Sequence, residues 1–268
     1  MRILVCVKQV PAALEVRLRE DTRTVDRDAY ERVTNPFDLY ALEAAARLRD
    51  AYPGDASVAG EPAFRITALS MGPASAKSIL RDALALCADD AYLVCDASFA
   101  GADVSATAHI LARAVRYLEE KDGAFDLICT GARSTDGGTG VLAPMLAAHL
   151  GRPVLTDVLT VLPFPSVLQV TQEADTEDRT WNIETPCVLS FTKASYAVRY
   201  PDFARTIEAE RTEIPVLDAD ALAVDVRSHT LVRKYHYHPV KKAGSLITGS
   251  PEKASEKLWT ALAKKGVV

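Results

Sequence analysis

Strand-like and helix-like stretches alternate through the first 150 residues of this 268-residue chain, and that alternation limits the fold more than any other feature. Arg2 to Val7 is a short apolar run, and a helix pattern opens at Asn35-Pro36-Phe37-Asp38 and continues to about Arg49. Asn35 suits an N-cap, Pro36 sits where its missing N–H costs nothing, and Asp38 favours the positive end of the helix. Leu39, Leu42, Ala46 and Leu48 supply its buried stripe. Phe64 to Leu69 then reads as a strand, Ala74 to Cys87 as a helix, Ala91 to Val94 as a strand and Asp103 to Glu119 as a helix. Strands joined through helices run parallel, with right-handed crossovers. The expected fold is α/β, a doubly wound, mostly parallel sheet whose ligand crevice lies at the carboxyl ends of the strands. Three loops should converge there: Val7 to Val10, Ser70 to Pro73, and Gly131 to Gly140.

The last strand–helix pair, residues 125–151, carries the clearest chemistry. Phe125 to Cys129 is apolar except for Asp126, and after Thr130-Gly131 comes a run of Gly, Ser, Thr and Asp before an apolar helix. Glycines let backbone amides approach an anion, and the unpaired amides of a first helical turn point at it. The loop is neither a Walker loop nor a full GxGxxG, and no Lys follows its glycines. A tight bend with no ligand is the alternative use of such residues.

Beyond Gly151 the pattern changes. Residues 154–173 and 179–192 read as strands, with turns at Pro163-Phe164-Pro165 and Glu173 to Asp178, and Tyr200 to Glu210 as a short helix. Residues 214–250 lack helical period and suggest an extended arm, closed by a helix from Ser250-Pro251 to about Lys265 with Leu258, Leu262 and Ala263 facing inward. Residues 11–34 are polar and alternate like an exposed arm or hairpin. The expected organisation is a nucleotide-binding α/β domain over 1–187, its hairpin region at 154–185, followed by a loop, arm and terminal helix over 188–268.

Composition removes several function classes. Hydrophobic residues make up 49% and charged residues 25%, and the net charge of −5 gives no electrostatic footprint for nucleic acid. No apolar run reaches the ~20 residues of a membrane span. The start MRILVCVKQVP reads as a strand rather than a signal peptide, so a cytoplasmic location is expected. Cys6, Cys87, Cys95, Cys129 and Cys187 show no CxxC or metal spacing, and four lie in or beside apolar strands as small hydrophobes. His109 and His149 fall in helices, while His236 and His238 alternate in YHYHP without a nearby third ligand, so no metal site is expected. No GxSxG, HExxH or SxxK occurs, and no catalytic residues are assigned. Asp82, Asp89, Asp90 and Asp96 read as caps and solvated charge.

Several motifs in order give the chain a family likeness: VCVKQVP at 5–11, NPFDLYALEAAARL at 35–48, SMGPASAKSILRDALALCADDAYLV at 70–94, FAGADVSATAHILARAV at 99–115, GARSTDGGTGVLAPMLAAHLG at 131–151 and VRYPDF at 198–203. Along nearly its whole length the chain resembles the beta (small) subunit of electron-transfer flavoproteins. The resemblance implies a Rossmann-like, adenine-nucleotide-binding fold and a heterodimer whose alpha subunit carries the electron-transferring FAD. It also implies AMP in the beta-subunit site of ordinary members, or the adenosine diphosphate part of a second FAD in electron-bifurcating ones. Carried over by position, the binding set is Cys6, Asn35, Pro36, Phe37, Asp38, Met71, Gly131, Ala132, Arg133, Ser134, Thr135, Asp136, Gly137, Gly138, Thr139, Gly140, Val141 and Leu142. Residues 136–140 would cradle phosphate, and Cys6 and Met71 would meet the adenosine.

The family loop resembles DGDTAQVGP in bifurcating-type members and DDD(S/C)NQTG in ordinary ones. Asp136-Gly137, Thr139 and Pro144 lean towards the first and hence towards FAD, although Gly138 and Val141 replace its second Asp and its Gln. The resemblance assigns docking of a partner, a flavin-containing dehydrogenase or other redox protein, to Thr192–Val198. Within and beside that loop stand Lys193, Ala194, Ser195, Tyr196 and Arg199, with Ala197 where the family carries Glu. HTLVRKYHYHP replaces the family's Gly-Leu-x-Gly-Ser-Pro stretch. Two other readings share the broad fold. A stand-alone adenine-nucleotide regulator of the universal-stress type explains the loop but leaves residues 190–268 unused. An ATP pyrophosphatase needs an SGGxD-type loop where VKQVP stands.

Overall fold

A computed structural model describes residues 1–12, 31–52, 64–163, 167–194, 196–225, 227–230 and 244–268. Most of the expected polar arm, the centre of the turn at 163–165, Ser195, and the His236–His238 pair lie outside the described residues. The chain forms two compact units, Met1–Arg233 and Lys234–Val268.

The first unit is built on a sheet of nine strands among the described residues. It comprises β1 (Arg2–Cys6), β4 (Arg65–Met71), β5 (Asp90–Val94), β6 (Leu127–Gly131), β7 (Val154–Pro163), β8 (Leu168–Gln172), β9 (Arg179–Ile183), β10 (Cys187–Phe191) and β11 (Val216–Leu217). The spatial order is β11-β5-β4-β1-β6-β10-β7-β8-β9, parallel from β11 to β7 and antiparallel through β8 and β9. Two short strands, β2 (Gln9–Pro11) and β3 (Arg32–Thr34), pair antiparallel at the base of the expected polar hairpin.

Helices α1 (Pro36–Ala51), α2 (Lys77–Leu86), α3 (Val104–Asp122), α4 (Leu142–Leu150) and α5 (Phe203–Arg211) complete this unit. The central strands bury both faces, as parallel strands covered by helices must. In β1, Ile3 and Val5 join a core with Leu42, Ala45, Ile79 and Leu80 of α1 and α2. Leu4 and Cys6 face the opposite way, into a core with Ile110, Leu111 and Leu146 of α3 and α4. Gly151 ends α4 in the left-handed conformation, φ 68°.

The expected strands at 154–173 and 179–192 prove to be four. The second divides at Glu184 to Pro186, and its apolar end becomes β10, a further strand of the parallel series between β6 and β7. The 187/188 boundary therefore falls at the first residue of β10. The expected arm also departs from an extended path at its start. Ile214, Leu217 and Leu222 are buried, β11 adds to the sheet edge, and Arg113 donates to the carbonyl of Leu222.

In the second unit α6 (Pro251–Lys264) forms where expected, but none of its residues is buried. Leu258 and Ala263 are exposed and Leu262 half-buried, so the inward-facing stripe expected of this helix is not formed. Among the described residues no helix is long and apolar enough to cross a membrane.

Candidate nucleotide crevice at the carboxyl edge

The ends of β1, β6 and β10 meet the start of α1 in one braced junction. Asp38, third in α1 and buried, is its centre. Its Oδ2 accepts from the backbone N of Lys8 at 2.7 Å, and its Oδ1 from Gly131 N at 3.1 Å and from Asn35 Nδ2 at 2.9 Å. One carboxylate thus ties together the exits of two neighbouring strands. Burial pushes it up to about 7, against these donors and the Lys8 charge, which favour the ionised form.

Asn35 braces the loop itself. Its Nδ2 also donates to Arg133 O at 3.0 Å, and its Oδ1 accepts from Thr135 N at 3.2 Å. Asn35 occupies the N-cap position but makes no side-chain cap bond, contrary to expectation, because its amide is committed to the loop and to Asp38. Gly131 must be glycine for space: a Cβ there would stand 2.3 Å from Asp38 Oδ1 and 2.8 Å from Phe37 Cβ. Ala132 N donates to Phe191 O, which ties the loop to the end of β10.

From Arg133 the loop turns back on itself. Gly138 N donates to Ser134 O at 2.9 Å, with φ 62° at Gly138 and 67° at Gly140. The Arg133 guanidinium lies 5.3 Å from the centre of the Phe37 ring. Lys8 reaches in from β1, its Nζ 2.7 Å from Asp136 Oδ1 and 3.3 Å from Ser134 Oγ. Burial raises Asp136, but the Lys8 ammonium and further hydrogen bonds outweigh it, so the carboxyl sits below its ordinary range. The N-terminus of α4 follows at Val141 without a side-chain cap, leaving its first-turn amides free of intrahelical partners.

A cleft of about 350 Å³ opens beside the loop, lined by Ala132, Arg133, Gly138, Thr139, Gly140, Asp157, Glu173 and Thr192. Asp157 adopts φ 56° where the pairing of β7 shifts register, and its carbonyl accepts from Glu173 N. Most of the loop and helix-start residues singled out in the sequence gather at this edge. Cys6 and Met71 end neighbouring strands and pack towards the α3–α4 core, Cys6 buried and Met71 half-buried. Burial, reinforced by the Asp38 charge, pushes the Cys6 thiol up to about 12, which keeps it neutral. Pro36 is exposed, Phe37 half-buried, and Val141 and Leu142 start α4.

Sequence reasoning missed Lys8, Asp157, Glu173 and Thr192 as site residues. Lys8 stood within a loop already marked as converging, and its proximity to Asp136, 128 residues away, carries no local signal. The left-handed conformation of Asp157 has none either.

The loop after β10 leaves from the same edge. Lys193 is exposed, Ala194 buried, and Tyr196 half-buried, its ring 4.4 Å from the Arg47 guanidinium and edge-on to Tyr40 at 6.2 Å. Arg199 is committed inward. Its Nε and backbone N donate to Glu43 Oε2 at 2.8 and 3.0 Å, and its second guanidinium arm reaches Asp50 at 2.8 Å. His109 and His149 stack edge to face at 5.1 Å between α3 and α4. Among the described residues no cluster of three or more His, Cys, Asp or Glu could hold a metal ion.

The model of the electron transfer flavoprotein domain matches residues 22–222 of this sequence. The chain belongs to the electron transfer flavoprotein family. Its relatives place it on the beta-subunit side of that family. The electron transfer flavoprotein subunit beta of Megasphaera elsdenii is 38% identical over 255 residues, covering 92% of this chain and 91% of that protein. Protein FixA of Azorhizobium caulinodans is 35% identical over 228 residues, 84% of this chain and 78% of its own length. The Caffeyl-CoA reductase-Etf complex subunit CarD of Acetobacterium woodii is 30% identical over 256 residues, 93% of each. An electron-transfer flavoprotein chain of this type is a redox component, which disfavours the stand-alone regulator.

Proposed function

We propose that this chain holds an adenine nucleotide at the carboxyl edge of its sheet, pairs with an electron-transfer flavoprotein alpha subunit, and docks a redox partner through the loop after β10. The observation that carries the reading is the braced loop of 131–140. Its backbone turns through two left-handed glycines into an uncapped helix start, a seat that main-chain amides can offer to phosphate. Asp157 and Glu173 line the adjoining cleft with acceptors suited to the hydroxyls of a ribose or ribityl chain.

FAD is the proposed occupant, with AMP as the alternative, on the pattern Asp136-Gly137-x-Thr139 and Pro144. A bound flavin supplies one- and two-electron chemistry, and the protein supplies position and electrostatics. The residues here bind and orient. None is arranged as a general acid, base or nucleophile for group transfer. The name of the Acetobacterium relative places that protein in a complex with a reductase. A flavin-containing dehydrogenase is the corresponding partner class proposed for this chain.

Co-expression with its alpha subunit, followed by counting of flavin and AMP released per heterodimer, tests the assignment. Two flavins and no AMP are expected. One flavin with one AMP would assign the site to AMP, and a heterodimer with one flavin and no other nucleotide would refute the crevice as a nucleotide site.

A further inference from the structure

Three groups around Asp136 form an unusual constellation. Asp136 Oδ1 accepts from Lys8 Nζ at 2.7 Å and from Gly137 N at 2.7 Å. Ser134 Oγ stands 3.3 Å from each of these same two donors. An ammonium, a backbone amide and a hydroxyl therefore converge around one anionic oxygen, the donor set that recognises a phosphate oxygen. Here a carboxylate of the chain's own loop is the anion.

The donors are held independently of that carboxylate. Lys8 is pinned through its backbone, its N on Asp38 and its O accepting from Asn35 N at 2.9 Å. The loop is pinned through Arg133 O and Thr135 N on Asn35. The Lys8 side chain remains 46% exposed and that of Asp136 23%, so the cluster is open to a ligand from outside. A Cβ on Gly137 would approach Ser134 Oγ to 3.2 Å, so a side chain there would crowd the nest.

Resting on the nucleotide reading above, we propose that Lys8, Ser134 and the Gly137 amide form a phosphate nest, for which the carboxylate of Asp136 competes with a phosphate of the nucleotide. Lys8 is then a binding residue for the nucleotide phosphate, and Asp136 tunes affinity by opposing it. Two anions contend for one set of donors. Removing the internal one strengthens binding, and removing the ammonium weakens it. Because Asp136 holds Lys8 as well as the Gly137 amide, its effect shrinks when Lys8 is gone.

The test uses the heterodimer stripped of nucleotide and titrated calorimetrically with AMP, FAD and adenosine at one fixed ionic strength. Lys8→Met should weaken AMP and FAD about tenfold or more, the loss of a charge-assisted bond, and leave adenosine unchanged. Lys8→Arg should recover most of that loss. Asp136→Asn should tighten AMP and FAD several-fold, and the same change should gain less in the Lys8→Met background than in the parent. Weaker phosphate binding in Asp136→Asn, or equal loss of AMP and adenosine in Lys8→Met, would overturn the nest while leaving the nucleotide site intact. Failure of the unaltered heterodimer to bind any of the three would remove both. Thermal midpoints of each variant, expected within a few degrees of the parent, separate lost contacts from lost fold.

Discussion

Gly131 and Asp38 meet so closely that each dictates the other. Gly131 has an ordinary negative-side backbone, so its requirement is room rather than freedom. Alanine there must displace either a carboxylate held by three donors or the backbone of Phe37, 2.9 Å from the new Cβ. Gly131→Ala should destabilise the fold by about 2 kcal/mol or more, in the range of overpacked cores. Gly72→Ala, whose Cβ would meet only Ala76 at 3.4 Å, should change little. Denaturant midpoints of the two variants check the contrast. Asp38 carries a pH signature as well. Its carboxyl is pushed up to about 7 in the fold by burial, against about 3.9 in an unfolded chain. Between those values the native state binds the extra proton, so this group's contribution to stability is full below about pH 4. It falls as the pH rises towards 7 and is level beyond. The stability of the unaltered chain relative to Asp38→Asn should therefore be greater at pH 5 than at pH 8, as measured by urea unfolding at both. An equal difference at the two pH values would mean that the three N–H donors keep the carboxylate ionised throughout. From the sequence Asp38 read as a residue favouring a helix dipole. Its role as a tie between strands depends on contacts 30 and 93 residues away.

At the scale of elements, α1 supports both the 131–140 loop and the loop after β10. Its start carries Asn35 and Asp38 beneath the glycine loop, and one turn further on Glu43, itself buried, accepts from Arg47 and from three groups of Arg199. Burial raises Glu43, but the hydrogen bonds and charge of Arg199 and Arg47 reverse that and hold it below its ordinary range. Glu43→Ala would strip Arg199 of its principal partner and release the segment 196–200. A loss of about 1–3 kcal/mol is expected, at the low side for a broken ion pair because Arg199 is partly exposed. Limited trypsin digestion should cut at Lys193 or Arg199 sooner than in the parent chain. Protection equal to the parent would show that the loop is anchored by the Tyr196–Tyr40 and Tyr196–Arg47 contacts instead. The helices and the first parallel strands were legible because their periods are local and their ends bear Pro, Asn, Asp or Gly. β10 was absorbed into a longer strand. Cys187 to Phe191 is as apolar as any other strand, and only its long-range pairing with β6 and β7 gives it a central position.

Across the whole molecule, the sequence pattern identified the parallel sheet and its carboxyl-edge crevice, and the motifs identified the family. The terminal segments were less legible. Ile214, Leu217 and Leu222 occur in a stretch without period, yet they are buried, Ile214 in the core beneath α1 and α2, Leu217 and Leu222 in that beneath α3 and α4. The apolar residues of α6 have helical spacing, but Leu258 and Trp259 remain exposed, so amphipathic pattern alone did not predict burial within this chain. The bracing by Asn35 and Asp38 has a final consequence. The width of the crevice is inherited from the framework beneath it rather than set by its occupant. On the nucleotide reading proposed above, editing the rim alone would exchange a mononucleotide for a larger flavin, while the foundations stayed as they were.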